Sequence, residues 1–282
     1  MVSLIRMELL KLVKRPMTWV LLILLHGGIG FSTVVAALGV RSVTPDVRDA
    51  ILRNVTLPGI LPQTATFVYI FGSIMLAILA ASSIGSEYSW GTLRPILATG
   101  IPRGRFLGAK LLALAVVALG FVVLPMLMSA ALAVPLALWL DQPLMTGTVD
   151  LAWFGQLAAM IGRTYLLIVV PGLIAFLVGL AGRSQAAGIG AALGIMIGEQ
   201  IVAVLLTGLN LGWSRAVVDL LPGQSSAAIN NFYNGLGDLG AAPPPPGTLS
   251  EGQALLTLGV YSLVCLVVAF LVFRRRDVRG AA

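Results

Sequence analysis

Met17-Thr-Trp-Val-Leu-Leu-Ile-Leu-Leu-His-Gly-Gly-Ile-Gly-Phe-Ser-Thr-Val-Val-Ala-Ala-Leu-Gly-Val40 holds no Asp, Glu, Lys or Arg. About 20 apolar residues in a helix span the hydrocarbon core of a bilayer, so this run reads as a membrane span. The chain repeats the pattern. Further apolar runs lie at about 64–84, 106–129, 164–180, 186–208 and 254–273. The expected fold is therefore an all-α integral membrane protein with six transmembrane helices, forming a single transmembrane domain over residues 1–282.

Composition agrees with this. Of 282 residues, 58% are hydrophobic and 10% charged, against about 25% charged in an average soluble domain. Such a chain needs lipid as its solvent. The net charge of +7 sits beside the apolar runs, which favours orientation and contact with anionic lipid headgroups over nucleic-acid binding. The single cysteine, Cys265, rules out an intrachain disulfide and lies in an apolar run suited to packing. No signal-peptide pattern precedes the first span.

Before that span, Val2, Ile5, Leu9, Leu12 and Val13 share one helical face, while Glu8, Lys11, Lys14 and Arg15 share the other. The expectation for 1–16 is an amphipathic interfacial helix lying along headgroups, ended at Pro16. Two apolar stretches are harder to divide. The third run continues to Leu140, and Pro125 and Pro135 are expected to end or kink it. Leu151–Gly162 fits either an outer interfacial helix or the start of a long fourth span. Residues 209–253 form the expected outer segment, with an extended run at Pro243–Pro246.

Charge bias orients the map. If both ends are cytoplasmic, Arg41, Arg48, Arg53, Arg163 and Arg215 lie outside and the other 13 of the 18 basic residues lie inside. That split follows the positive-inside rule. The expected location is the inner (plasma) membrane of the cell, as a multi-pass protein.

The interior segment richest in polar residues is 85–105. It includes Glu87-Tyr-Ser-Trp-Gly-Thr-Leu-Arg94 and leads into Ile101-Pro-Arg-Gly-Arg-Phe-Leu-Gly-Ala-Lys110. Gly91 and Thr92 can break or cap a helix, and Gly100 with Pro102 can turn the chain. The expectation is a short polar helix between two spans, with Arg103, Arg105 and Lys110 anchoring the return at the headgroups. Charge alone does not separate a docking loop from a plain positive-inside loop.

This segment resembles the signature of type-2 ABC transporter permeases, with Glu87, Gly91, Thr92, Arg94, Pro102 and Arg105 in the matching places and Lys110 following. The likeness covers the whole chain in layout and is specific in sequence over about Ser86 to Lys110. It implies a permease subunit of an ATP-driven export complex, paired with a second permease subunit as a homo- or heterodimer. Residues 1–16 would be its elbow helix and 85–105 its coupling loop. Glu87, Trp90, Gly91, Thr92, Arg94 and Arg103 would couple it to a cytoplasmic ABC ATPase. ATP and Mg would bind that partner, with no cofactor in this chain. The sequence contains no G-x-x-x-x-G-K-[ST] phosphate loop. On this reading the chain is a transport subunit and not an enzyme.

Within the spans, Glu199 beside Gln200 is the notable ionisable residue, since a carboxylate at mid-span costs about 2.5–3.5 kcal/mol. Glu199 and Gln200 are candidates for the translocation path. A structural partner to another span or a residue of an outer funnel is the equal alternative for Glu199. His26 is the third candidate, as a partner for Glu199 or to tune a proton, against a plain hydrogen bond to a neighbouring backbone group. One His and one Cys build no usual metal site. Gly188, Gly190 and Gly194 make the fifth span small-faced and suited to close packing. The competing reading is a secondary transporter acting without an ATPase, which would show internal repeats and more intramembrane charge. An intramembrane enzyme would need a catalytic group not seen here. Cargo is open among small hydrophobic compounds, peptides and lipids.

Overall fold

In the computed structural model, residues 1–144, 150–209, 211, 213–231 and 249–275 are described. Among them there is helix and no strand. Helix α1 spans Val2–Lys14 and α2 spans Pro16–Gly39, with α3 at Pro45–Val55. Helices α4 (Ile60–Phe67) and α5 (Ser73–Ser89) are joined by a π-helical turn, Val68–Gly72. Then come α6 (Leu93–Ala98), α7 (Arg103–Trp139), α8 (Leu151–Gly182), α9 (Gln185–Leu209), α10 (Ser214–Asp219), α11 (Pro222–Asn231) and α12 (Glu251–Arg275). Six stretches among the described residues are long and apolar enough to cross a membrane: Pro16–Ser42, Ile60–Ser89, Arg103–Trp139, Leu151–Gly182, Gln185–Leu209 and Glu251–Arg275.

The second stretch, built from α4 and α5, is the most buried of the six, and α5 packs chiefly on α8 and α9. Close approach there depends on glycine. A Cβ on Gly85 would lie 2.4 Å from the Gln185 nitrogen, and one on Gly188 would lie 2.6 Å from the Ala175 carbonyl and 2.7 Å from the Ala81 Cβ. Helix α9 leaves most of its surface uncovered.

Two stretches that the sequence left open are decided by the structure. Helix α7 runs unbroken from Arg103 through Pro125 and Pro135 to Trp139. At the usual rise its 37 residues measure about 55 Å, well beyond a hydrocarbon core of about 30 Å. A proline in a helix frees a carbonyl one turn earlier, which neighbouring groups can satisfy. The fourth span is likewise one helix from Leu151, capped by Asp150, whose side chain accepts from the Trp153 N–H at 2.8 Å. The turn after it matches expectation: Arg183 takes a left-handed conformation (φ 51°) and α9 begins at Gln185.

The expected outer segment holds more structure than its sequence suggested. Helix α11 is largely buried and packs on α12, α8 and α9. Gly223 at its start meets Glu199, and the Leu220 carbonyl accepts from the Tyr261 hydroxyl at 3.3 Å. Glu199 precedes the end of α9 by ten residues and Tyr261 follows the start of α12 by ten. Each contact is therefore about 15 Å along its helix from the end remote from α1. Helix α11 and the turn before it fold back into the bundle. The run Pro243–Pro246 lies outside the described residues, as do Arg276 and Arg279 of the basic tail.

Candidate functional site

The polar segment between the second and third spans folds as its residues suggested. Helix α5 ends where Gly91 adopts φ +66°, a conformation that favours glycine and commonly stops a helix. Thr92 then precedes α6, and its hydroxyl makes a long 3.5 Å bond to the Glu87 carbonyl. Pro95 falls in the first turn of α6, where a missing N–H breaks no helical bond. Gly100 (φ +83°) ends α6, and Pro102 precedes α7. The result is a short helix slung between two long ones, bounded by two glycine turns.

Beside it Trp90, at the end of α5, is exposed at 69%, and Arg94 of α6 is also exposed. Arg94 and Arg103 face a shallow, open recess with Leu97, Ala98 and Ile101. Arg103 also donates to the Arg274 carbonyl at 3.2 Å, fastening the start of α7 to the end of α12. Phe106 stacks on Phe273 beside this bond, with ring centres 6.0 Å apart.

Beneath the loop lies a buried ion network that corrects two expectations. Lys110 does not reach headgroups. It is 3% exposed, and its ammonium donates to Glu8 Oε2 at 2.6 Å, Glu87 Oε1 at 2.8 Å and the Ser83 carbonyl at 3.2 Å. All three of its donors are used. Lys11 donates to Glu8 Oε1 at 2.6 Å and Glu87 Oε1 at 3.3 Å. Thus Glu8 and Lys11, expected on a headgroup-facing side of α1, point into the protein. A lysine seven residues into an apolar helix has to find carboxylates, because burying an unpaired ammonium costs several kcal/mol. Two acids and two bases leave the quartet neutral. Glu87 Oε2 is buried without a hydrogen-bond partner among the described residues.

Arg15 extends the link. It donates to Ser86 Oγ at 2.8 Å and the Ser82 carbonyl at 3.2 Å, and its guanidinium lies 5.6 Å from the Trp90 ring centre. So α1, the end of α5 and the start of α7 form one keyed unit under α6. An apolar run interrupted by Lys110, with Glu8 and Glu87 at the same end, was the available sequence signal. Which charges would pair was not readable from it.

Burial pushes the Glu8 carboxyl up, but the ammonium groups of Lys110 and Lys11 outweigh it and hold Glu8 below the usual 4.5. Burial pulls Lys11 down, but Glu8 and Glu87 outweigh it and raise it above 10.5. Glu8 therefore contributes stability that is full above 4.5 and lost as pH falls through its lower folded value. Lys11 contributes stability that is full below 10.5 and lost as pH rises through its higher folded value. Spin labels at the exposed Lys14 and Ser89 are expected to give a narrow distance distribution near pH 7. It should broaden as the pH falls below 4.5 and through the lower folded value of Glu8, where α1 undocks.

The membrane-level candidates separate. His26 Nδ1 bonds the Leu22 carbonyl of its own helix at 2.7 Å, and no ion pair among the described residues joins it to Glu199. Glu199 Oε2 accepts from the Gly223 N–H at 2.9 Å. Glu199 and Gln200 share a cleft with Tyr69, Ser73 and Ser226. The structure thus brings Glu199 and Gln200 together with residues that sequence did not single out. Tyr69 and Ser73 carry no sequence signal, and Ser226 arrives only because α11 folds inward.

A family model described as "Protein of unknown function (DUF2705)" matches residues 53–279. The chain belongs to the DUF2705 family. The match takes in Glu87, Lys110, Glu199 and α11, and begins after Glu8, Lys11, Arg15 and His26. In this DUF2705 protein the buried network therefore joins the matched region to the helix that precedes it. No curated protein matches the sequence.

Proposed function

We propose that this chain is the membrane subunit of an ATP-driven exporter, resting through α6 on a separate cytoplasmic ATPase. The observation that carries the reading is the buried ion network that ties together the helices on either side of α6. Two glycine turns isolate the helix, and the Glu8–Lys11–Glu87–Lys110 network ties its supports together. A force applied at α6 passes to α5 and α7 through that network rather than being absorbed by a loose loop. Trp90 at the end of α5 and Arg94 on α6, with the Arg103 recess beside them, suit an acidic and aromatic cleft on a partner. The positive-inside split of the sequence puts this end in the cytoplasm, and the resemblance over Ser86–Lys110 points to the same class. A second six-span subunit would complete the pathway, and the thinly covered α9 offers it a surface.

The test is co-purification. Affinity-tagged chain extracted from its native membrane is expected to bring down a soluble P-loop ATPase. The double variant Trp90→Ala/Arg94→Glu should lose at least about tenfold of that partner, as removal of an aromatic and charged anchor pair does at other interfaces, with the helical content unchanged. Transport by the purified chain in liposomes, without ATP or partner, would instead make it a secondary transporter.

A further inference from the structure

We infer that the cleft at Glu199 binds the head of a monovalent organic ammonium ion, its hydrocarbon part lying along α9. The cleft has a volume of about 60 Å³ and is formed where α5, α8, α9 and α11 meet. That volume leaves room for a small head group. Its chemistry is asymmetric. Tyr69, Ser73, Gln200 and Ser226 supply polar groups around one carboxylate, and among the described residues no basic side chain lines it.

Glu199 is held but not neutralised. Oε2 takes the Gly223 N–H, and no ion pair involving Glu199 occurs among the described residues. The backbone comes this close because residue 223 is glycine: a Cβ there would sit 2.2 Å from Glu199 Oε1. Among the described residues the one hydrogen bond to the Glu199 carboxylate is that to Oε2, and the side chain is half-buried rather than sealed in the interior. Ser73 donates its proton to the Tyr69 carbonyl, which leaves its oxygen lone pairs for an incoming donor. A carboxylate oxygen, hydroxyl acceptors and an aromatic ring are the recognition set for an ammonium group.

The rest of the surface selects an organic cation over a metal ion. Hard metal ions such as Ca²⁺ demand a shell of about six or more oxygens, whereas this cleft is otherwise walled by Val170, Ile174, Ile195 and Met196. Ile195 and Val202 stand one helical turn on either side of Glu199, and each is 42% exposed. An alkyl chain leaving the cleft would lie on them. The consequence for cargo, that the exporter handles cationic amphiphiles, rests on the reading above; the binding itself does not.

The experiment uses the full chain in nanodiscs and equilibrium dialysis of radiolabelled hexylammonium, with empty nanodiscs as background. One saturable site per chain is expected, unaffected by excess hexanol. Glu199→Gln keeps an oxygen that can accept the Gly223 N–H but removes the charge, so it should fold as wild type and bind at least tenfold more weakly. Gly223→Ala, which displaces the carboxylate, should weaken binding similarly. Absence of a saturable site, or equal binding by Glu199→Gln, overturns the inference and leaves Glu199 as a cap for α11. Displacement by sodium ions as readily as by unlabelled hexylammonium also overturns it, in favour of a metal-ion site. A saturable site in a chain that brings down no ATPase in the co-purification above would support the site and overturn the exporter reading alone.

Discussion

Lys110→Met is expected to destabilise the protein by about 3–5 kcal/mol, the cost of breaking a buried ion pair by removing one partner. The substitution keeps the volume and apolar stem of the side chain while deleting the ammonium that serves both Glu8 and Glu87. Lys11 cannot substitute, because its ammonium is 3.3 Å from Glu87 and a third of its side chain is exposed. Two carboxylates would then face each other in the interior with one partly solvated counter-charge. They must either take up a proton or push α1 away. Chemical denaturation in micelles would show the loss as a lower midpoint, with α1 released first. The triple variant Glu8→Gln/Glu87→Gln/Lys110→Met should recover most of the stability, since removing every member of a buried network leaves no stranded charge. A wild-type midpoint for Lys110→Met alone would mean that the network does not hold α1. If the network also transmits force from α6, the triple variant should be stable yet poorly coupled. ATP hydrolysis would then proceed with little export.

Gly188→Ala is expected to cost about 1–3 kcal/mol, the usual penalty for forcing extra volume into a packed core. The new methyl would meet the Ala175 carbonyl, the Ala81 side chain and the Gly179 backbone within 3.0 Å. None of these is the end of a flexible side chain. The helices α5, α8 and α9 would have to separate at their tightest crossing. Gly190→Ala, two residues along, has nothing within 4 Å of its new methyl. It should be neutral, or stabilising by about 0.5–1 kcal/mol from helix propensity. Thermal unfolding of both variants in one detergent makes the comparison. Equal midpoints would mean that the α5–α8–α9 crossing is looser than described.

The glycine pair shows where reading by pattern stops. Gly188, Gly190 and Gly194 look alike as a small-residue stripe, yet only Gly188 touches other helices, because neighbouring helical positions point in different directions. The same limit applied to α1. Periodicity separates an apolar from a polar face, and a membrane-surface helix is read by assuming that the polar face meets water. Here Glu8 and Lys11 on the polar face meet Lys110 and Glu87, which lie 102 and 76 residues away in the chain.

The sequence by itself determined that the chain is helical and suited to a membrane, since apolar length and charge density are local properties. It also located the six spans and the glycine turns around α6, because the conformations at Gly91 and Gly100 are chosen by the residues that stand there. Only the tertiary structure decided whether Pro125 breaks α7, where Lys110 finds its charges, and that α11 turns inward to set Gly223 against Glu199. Each of these depends on groups far apart in the chain. A freed carbonyl, a buried ammonium or a mid-span carboxylate must find a partner, and no local pattern names it. The loop at Glu87 was legible because its turns are local, and the network beneath it was not because its four charges come from three helices.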